Sequence, residues 1–421
     1  MKRTALAIAV LCLAACGESP ATPAAQQAAR PDEWFAFGGD AVADYAAIRL
    51  HQTPAGLAGV LVRNDETAVT LRGIRRTGSG FSFTVPALGV AFNGIRTSEG
   101  WAGDWMTSAG TDHVQLNRAG SAPALARAAT AQLVKLPDNR RLHLVCAGEG
   151  SPVVLLDYGA GGTVKKDWGD IAALAAQAAG TKVCAYDRAG RGLSDPGPMP
   201  RDAAATAADM DAMLSSANLA PPYVLVGHSL GSYHVRQYAN TYPDKTGGLV
   251  LVDPSADGQL EKFNAVIPKV QAMQDEMFKQ QAALNCVASL RQTFVTPEDP
   301  FAQQCGGNDP EALAATKSEV ESMPTASTQQ LVASRRAYGQ MPLIVLTRTD
   351  YETDMPPSFN ADDKAKMKQV WEGLHTEMAA LSEKSQHRFV PGAGHYIQRD
   401  NPGAVIQAIT DVVAQVRAVP R

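Results

Sequence analysis

Residues 223–242 join three features that few folds hold together: an apolar run at 223–226, the turn Gly227-His228-Ser229-Leu230-Gly231, and a helical stretch at 233–242. A serine on a sharp strand-to-helix turn projects its hydroxyl above the edge of a sheet, and only small neighbours let the backbone turn that tightly. The flanking sequence supplies such a sheet. Apolar runs at 141–146, 152–157, 181–186, 248–252, 343–347 and 387–390 alternate with helical stretches such as 170–179, 203–217 and 404–416. That alternation predicts an α/β architecture on a mostly parallel sheet. Residues 257–335 interrupt it with a Gln-, Met- and Ala-rich helical insertion, a candidate lid over whatever the sheet carries.

A neutral serine is a weak nucleophile, so a base must lie within hydrogen-bond reach and be oriented by a third group. Of eight histidines, His395 alone stands on a Gly-rich loop, Pro391-Gly392-Ala393-Gly394-His395, between the last strand and the last helix. His228, next to the serine, reads as a packing residue. Two carboxylates compete for the third place: Asp253, at the tip of the strand after the serine helix, and Asp350, which follows the run 343–347. Both end a strand on the side where the serine emerges, and the residues alone leave the choice open.

Residues 133–416 resemble the α/β-hydrolase superfamily, in the chain order Ser, acid, His. The segments Tyr186-Asp187-Arg188-Ala189-Gly190-Arg191-Gly192-Leu193-Ser194-Asp195, Pro222 to Ser229 and Leu249-Val250-Leu251-Val252-Asp253-Pro254-Ser255 resemble one bacterial branch of capped hydrolases in particular. The resemblance implies an α/β-hydrolase fold with a helical cap over 257–335. It favours Asp253 over Asp350 as the acid. It also implies an oxyanion hole made by the backbone N–H groups of Leu230 and Ala160, although Tyr158-Gly159 stands where family members often carry His-Gly. Residues 187–195 read as a structural turn rather than a phosphate loop. The expected activity is hydrolysis of a small-molecule carboxylic ester through an acyl-enzyme. Amide or peptide hydrolysis is the chemical variant, and a non-catalytic envelope-binding lipoprotein the alternative from another class. Relatives that attack with Asp, the dehalogenases and epoxide hydrolases, differ at the nucleophile. No metal-ligand spacing appears, so no cofactor is implied.

The beginning of the chain reads differently. Lys2 and Arg3 followed by an apolar run up to Ala15 give a signal peptide over 1–15, too short to span a bilayer. Leu13-Ala14-Ala15-Cys16-Gly17 resembles a bacterial lipobox, so Cys16 is expected to carry a lipid anchor that holds the protein at the cell envelope. Residues 16–30 read as a tether. Residues 31–120, with short period-two runs punctuated by Gly and Asn, predict a small all-β meander or barrel, in which Trp101 and Trp105 read as core aromatics ahead of a ligand-binding face. A linker at 121–132 leads to the hydrolase domain, 133–421. A formal net charge of −4 offers no basic surface to nucleic acid. Four cysteines remain once Cys16 is lipidated, an even number for an oxidising compartment. Cys286 and Cys305 lie close together within the insertion and are expected to pair. The sheet order implied by the resemblance sets the strands of Cys146 and Cys184 side by side, which makes them the second candidate pair.

Overall fold

The computed structural model describes residues 33–37, 46–63, 68–98, 100–108, 110–118, 131–292, 295–307, 309–352 and 355–418. The leader 1–15, Cys16, the tether 16–30 and residues 121–130 of the linker lie outside the described residues. The chain divides into two compact units, one built on Cys16–Leu133 together with Gln281–Leu313, the other on Val134–Gln280 and Ala314–Arg421.

The first unit contains a nine-stranded antiparallel meander: β1 (Glu33–Phe37), β2 (Ala46–Thr53), β3 (Gly56–Arg63), β4 (Ala68–Thr70), β5 (Arg72–Arg76), β6 (Gly80–Val85), β7 (Val90–Arg96), β8 (Gly100–Thr107) and β9 (Gly110–Arg118). Its order is β4-β3-β2-β1-β9-β8-β7-β6-β5. The two edge strands are consecutive in the chain, and Leu71, between them, donates its N–H to Gly59 O of β3, so the sheet bends back on itself. Strand alternation turns Phe81, Phe83 and Val85 inward with Val90 and Phe92, and Trp101 is buried among them. The ring centroids of Phe83 and Phe92 lie 5.2 Å apart and those of Phe81 and Trp101 5.6 Å apart, so Trp101 is a core aromatic.

The insertion expected as one cap over 257–335 is divided. Residues Gln281–Leu313 belong with the β-rich unit. Long-range polar contacts hold them there: Arg49 of β2 donates to the Asp309 carboxylate at 2.5 Å, and the Thr70 hydroxyl donates to Glu298. The segment is itself closed by a Cys286–Cys305 disulfide. Neither contact has a local period, which is why the sequence reads 257–335 as continuous.

The second unit is built on an eight-stranded sheet: β10 (Ala131–Lys135), β11 (Arg141–Ala147), β12 (Val153–Asp157), β13 (Val183–Tyr186), β14 (Tyr223–His228), β15 (Thr246–Val252), β16 (Leu343–Arg348) and β17 (Ser385–Val390). The order is β10-β11-β13-β12-β14-β15-β16-β17. Strand β10 starts inside the expected linker. From β13 to β17 every neighbouring pair is parallel, and β11 runs antiparallel to β13 with Cys146 opposite Cys184, joined in a disulfide. Helices cover both faces, which explains the continuous apolar runs. Leu155, Leu225, Leu251 and Val345 pack against helices Ala203–Ser216, Gly231–Thr241 and Ala361–Ala379. On the other face Val154, Val226, Val252 and Leu346 pack against Ile171–Ala179 and Pro402–Ala418. All eight of these strand residues are 0–1% exposed, so the strand tips are held in a rigid core.

Candidate active site

Strand β14 ends at His228, and helix Gly231–Thr241 begins three residues later. Between them Ser229 has φ +50°, the left-handed region that costs a non-glycine residue about 1 kcal/mol or more. Neighbours over-determine the turn: Ser229 N–H donates to Val252 O at 3.1 Å, and Ser229 O accepts from Ser232 and Ser255 N–H. The two glycines of the motif are steric requirements. A Cβ at Gly227 would stand 2.7 Å from Gly231 O, and one at Gly231 2.7 Å from Asp157 O.

The imidazole of His395 meets this serine. Ser229 Oγ donates to His395 Nε2 at 3.0 Å, and His395 Nδ1–H donates to Asp253 Oδ2 at 2.6 Å. Of the two carboxylates left open by the sequence, Asp253 occupies the place at Nδ1. Asp350 instead accepts the N–H of Glu352 at 2.8 Å. Asp253 follows β15 directly and has φ +40°. Its other oxygen, Oδ1, accepts from Arg348 N–H at 3.1 Å and Trp371 Nε1–H at 3.0 Å. Burial alone would raise this carboxyl. The nearby Arg348 guanidinium, 3.5 Å away, and the bond to His395 outweigh burial and hold it well below the usual carboxylate range. Asp253 is therefore ionised and available to stabilise a positive imidazole.

Two further histidines brace this arrangement, and His375 carried no signal of a role in the sequence. His228 Nε2–H donates to His395 O at 2.9 Å, and the two rings are 4.8 Å apart. The neighbour of the serine thus fixes the loop that carries His395, and the packing reading of His228 extends to a hydrogen bond. His375 Nε2–H donates to Pro254 O at 2.9 Å, while its Nδ1 accepts the Thr347 hydroxyl at 2.6 Å, which in turn accepts from His387 Nε2–H. Pro254 adjoins Asp253, so this relay steadies the backbone at Asp253.

Burial lowers His375 to about 4 and holds His228 well below its ordinary value. A histidine depressed in the folded state stabilises the fold fully above its unfolded pKa of about 6.5, and loses that contribution as pH falls towards its folded value. His375 alone is then expected to cost about 2 kcal/mol between pH 7.5 and pH 5, at about 1.4 kcal/mol per unit of pH. Urea titrations at both pH values check this. His375→Gln, which keeps a donor for Pro254 without a titrating ring, should lose clearly less stability than the native chain, and equal losses would contradict the assignment.

The loop after β12, Tyr158-Gly159-Ala160, approaches the serine so closely that a Cβ on Gly159 would lie 3.1 Å from Ser229 Cβ. Among the described residues, the backbone N–H groups of Ala160 and Leu230 make no hydrogen bond. Two unpaired donors flanking a nucleophile can receive an oxygen anion. The sequence missed the buried residues beneath them. Arg188, Asp157 and Glu319 come from separate segments, and the only available signal was three charged residues amid apolar or helical runs.

Family comparison agrees with this geometry. A profile described as "Alpha/beta hydrolase family" matches residues 153–408, more than half of the chain. The chain belongs to the alpha/beta hydrolase family. The hydrolase is 26% identical over 265 residues to the uncharacterized protein YqjL of Bacillus subtilis (strain 168), a stretch that covers 63% of this chain and 85% of that protein. It is also 26% identical over 239 residues, 54% of this chain and 77% of the relative, to a 2-(acetamidomethylene)succinate hydrolase of Mesorhizobium japonicum. Among solved structures, a malate-bound thermophilic esterase of Thermogutta terrifontis aligns at a TM-score of 0.41 and 22% identity, over 68% of this chain and 99% of that one. The family match and the similarity to the Mesorhizobium japonicum hydrolase make this chain a hydrolase enzyme.

Proposed function

We propose that the hydrolase cleaves a carboxylic ester through an acyl-enzyme on Ser229. The observation that carries this reading is the continuous hydrogen-bonded chain from Asp253 through His395 to Ser229 Oγ, with segments of 2.6 and 3.0 Å. Ser229 Oγ attacks the acyl carbon while His395 Nε2 takes its proton. Asp253 keeps the Nδ1–H in place and offsets the imidazolium charge. The carbonyl oxygen becomes an anion held by the N–H groups of Leu230 and Ala160. As the tetrahedral adduct collapses, His395 returns the proton to the leaving alcohol oxygen. Water then repeats the sequence on the acyl-enzyme, with His395 as base, and releases the carboxylic acid. The same steps serve an amide, whose leaving nitrogen needs the same proton.

A series of p-nitrophenyl esters of increasing acyl length, with the matched anilides beside it and Ser229→Ala protein as the blank, tests the reading. Ester turnover well above the blank is expected. Anilide turnover without ester turnover would move the hydrolase to the amide variant, and rates equal to the blank throughout would remove the reading. The lipid anchor proposed at Cys16 would set this chemistry at the bacterial envelope. Labelled palmitate should enter the native chain and not Cys16→Ser, and equal incorporation in both would remove the anchor.

A further inference from the structure

The Arg188 guanidinium is wholly buried, and all five of its N–H groups are used. Nε and Nη2 hold the Glu319 carboxylate at 2.7 and 2.8 Å, and Nη1 holds Asp157 Oδ1 at 2.7 Å. The remaining two bonds go to main-chain carbonyls, Nη1 to Tyr158 O at 2.7 Å and Nη2 to Gly159 O at 3.0 Å. The Tyr158 ring lies against the guanidinium, 4.1 Å from its centre. A buried ion cluster of this kind is rarely more stabilising than apolar residues of the same volume, so stability alone is a poor reason for its presence.

Its bonds to the loop give another reason. The peptide that joins Gly159 to Ala160 is planar, and in the trans form its C=O and N–H point in opposite directions. Tying the Gly159 oxygen to Arg188 therefore aims the Ala160 N–H away from the cluster. A cationic donor on the carbonyl also polarises the amide and strengthens its N–H as a donor. We propose that Arg188 is a positioning residue that orients and polarises the Gly159–Ala160 peptide for the oxyanion, and that Glu319 makes this setting depend on the helix that carries it.

That helix touches the loop along one face. It spans Pro310–Ser322, and Thr316, Glu319 and Val320, with Met323 immediately after its end, follow the spacing of successive helical turns. Thr316 Oγ1 accepts from Arg191 Nη1 at 2.9 Å, and Arg191 Nη2 donates to Gly161 O at 2.7 Å. Val320 and Met323 pack in one cluster with Ala160 and Leu230. Ala160 is thus bracketed, with Arg188–Glu319 gripping the carbonyl before it and Arg191–Thr316 the carbonyl after it. A shift of this helix would reach the oxyanion donors through two guanidinium groups.

The proposal rests on the acyl-enzyme reading, and its test separates the two. The full chain, Arg188→Lys and Glu319→Gln are compared on p-nitrophenyl butyrate, with thermal unfolding followed alongside. Lysine cannot reach both carbonyls and Glu319 in a fork. The near-isosteric Gln presents an N–H₂ to Nη2. Each variant should lose about 10- to 100-fold in kcat with KM changed less than about threefold, short of the roughly 10²- to 10³-fold loss when an oxyanion donor is removed outright. Affinity for a trifluoromethyl ketone, whose adduct carries the oxyanion, should fall by the same factor, while inhibition by butyrate stays level. A structural defect would not divide the two inhibitors in this way. Folded variants with native kcat, or a fall in kcat without a matching loss of ketone affinity, would overturn the proposal. Should Arg188→Lys fail to fold, Glu319→Gln decides by the same criteria. A native chain inactive on the ester and unlabelled at Ser229 would instead overturn the acyl-enzyme reading.

Discussion

Asp253→Asn is expected to lower kcat for ester hydrolysis by about 10⁴, whereas Asp350→Asn changes it by less than about threefold. An asparagine at 253 can turn its N–H₂ towards His395 Nδ1, which forces the proton onto Nε2 and leaves no lone pair to receive the Ser229 proton. It also removes the negative charge that would stabilise the imidazolium. Asp350 accepts a backbone N–H of its own loop and meets none of these needs. The substitution at 253 also deprives the buried Arg348 of a carboxylate at 3.5 Å, so each variant's unfolding must be measured before its kcat is compared. Losses in the reverse order would transfer the acid's role to Asp350.

Ser229→Ala is expected to reduce kcat further, on the order of 10⁶, while stability stays within about 1 kcal/mol of native. In the proposed mechanism the hydroxyl supplies the attacking atom, and it makes one bond of 3.0 Å, to a histidine that Asp253 and the loop still hold. What remains in the variant is the oxyanion pair and the binding surface, which act on a water molecule far less well placed than Oγ. Substantial residual turnover by a folded Ser229→Ala protein would mean that a different group does the chemistry.

Ser229 and His395 are legible in the sequence because each is fixed by its immediate neighbours. Gly227 and Gly231 announce a turn that tolerates no Cβ, and the loop 391–395 follows the last apolar run. Which carboxylate meets His395 was not legible in the same way. Asp253 and Asp350 each end a strand, and what distinguishes them is contact with Trp371, 118 residues later, and with Arg348, 95 residues later. The same limit hid Arg188 and Glu319, separated by 131 residues, and the division of the insertion by Arg49–Asp309, separated by 260. The pairing of Cys146 with Cys184 was accessible because sheet order is a property of a whole fold. Once the resemblance gave that order, the two strands fell side by side, and the register set the cysteines opposite each other.

Intact mass and peptide mapping after exposure to a fluorophosphonate would test whether Ser229 is the nucleophile. A phosphonyl group should add once per chain, on the peptide that contains Ser229, and should be missing from the folded Ser229→Ala protein. Addition to another residue, or equal addition to both proteins, would contradict a serine hydrolase built on Ser229, His395 and Asp253.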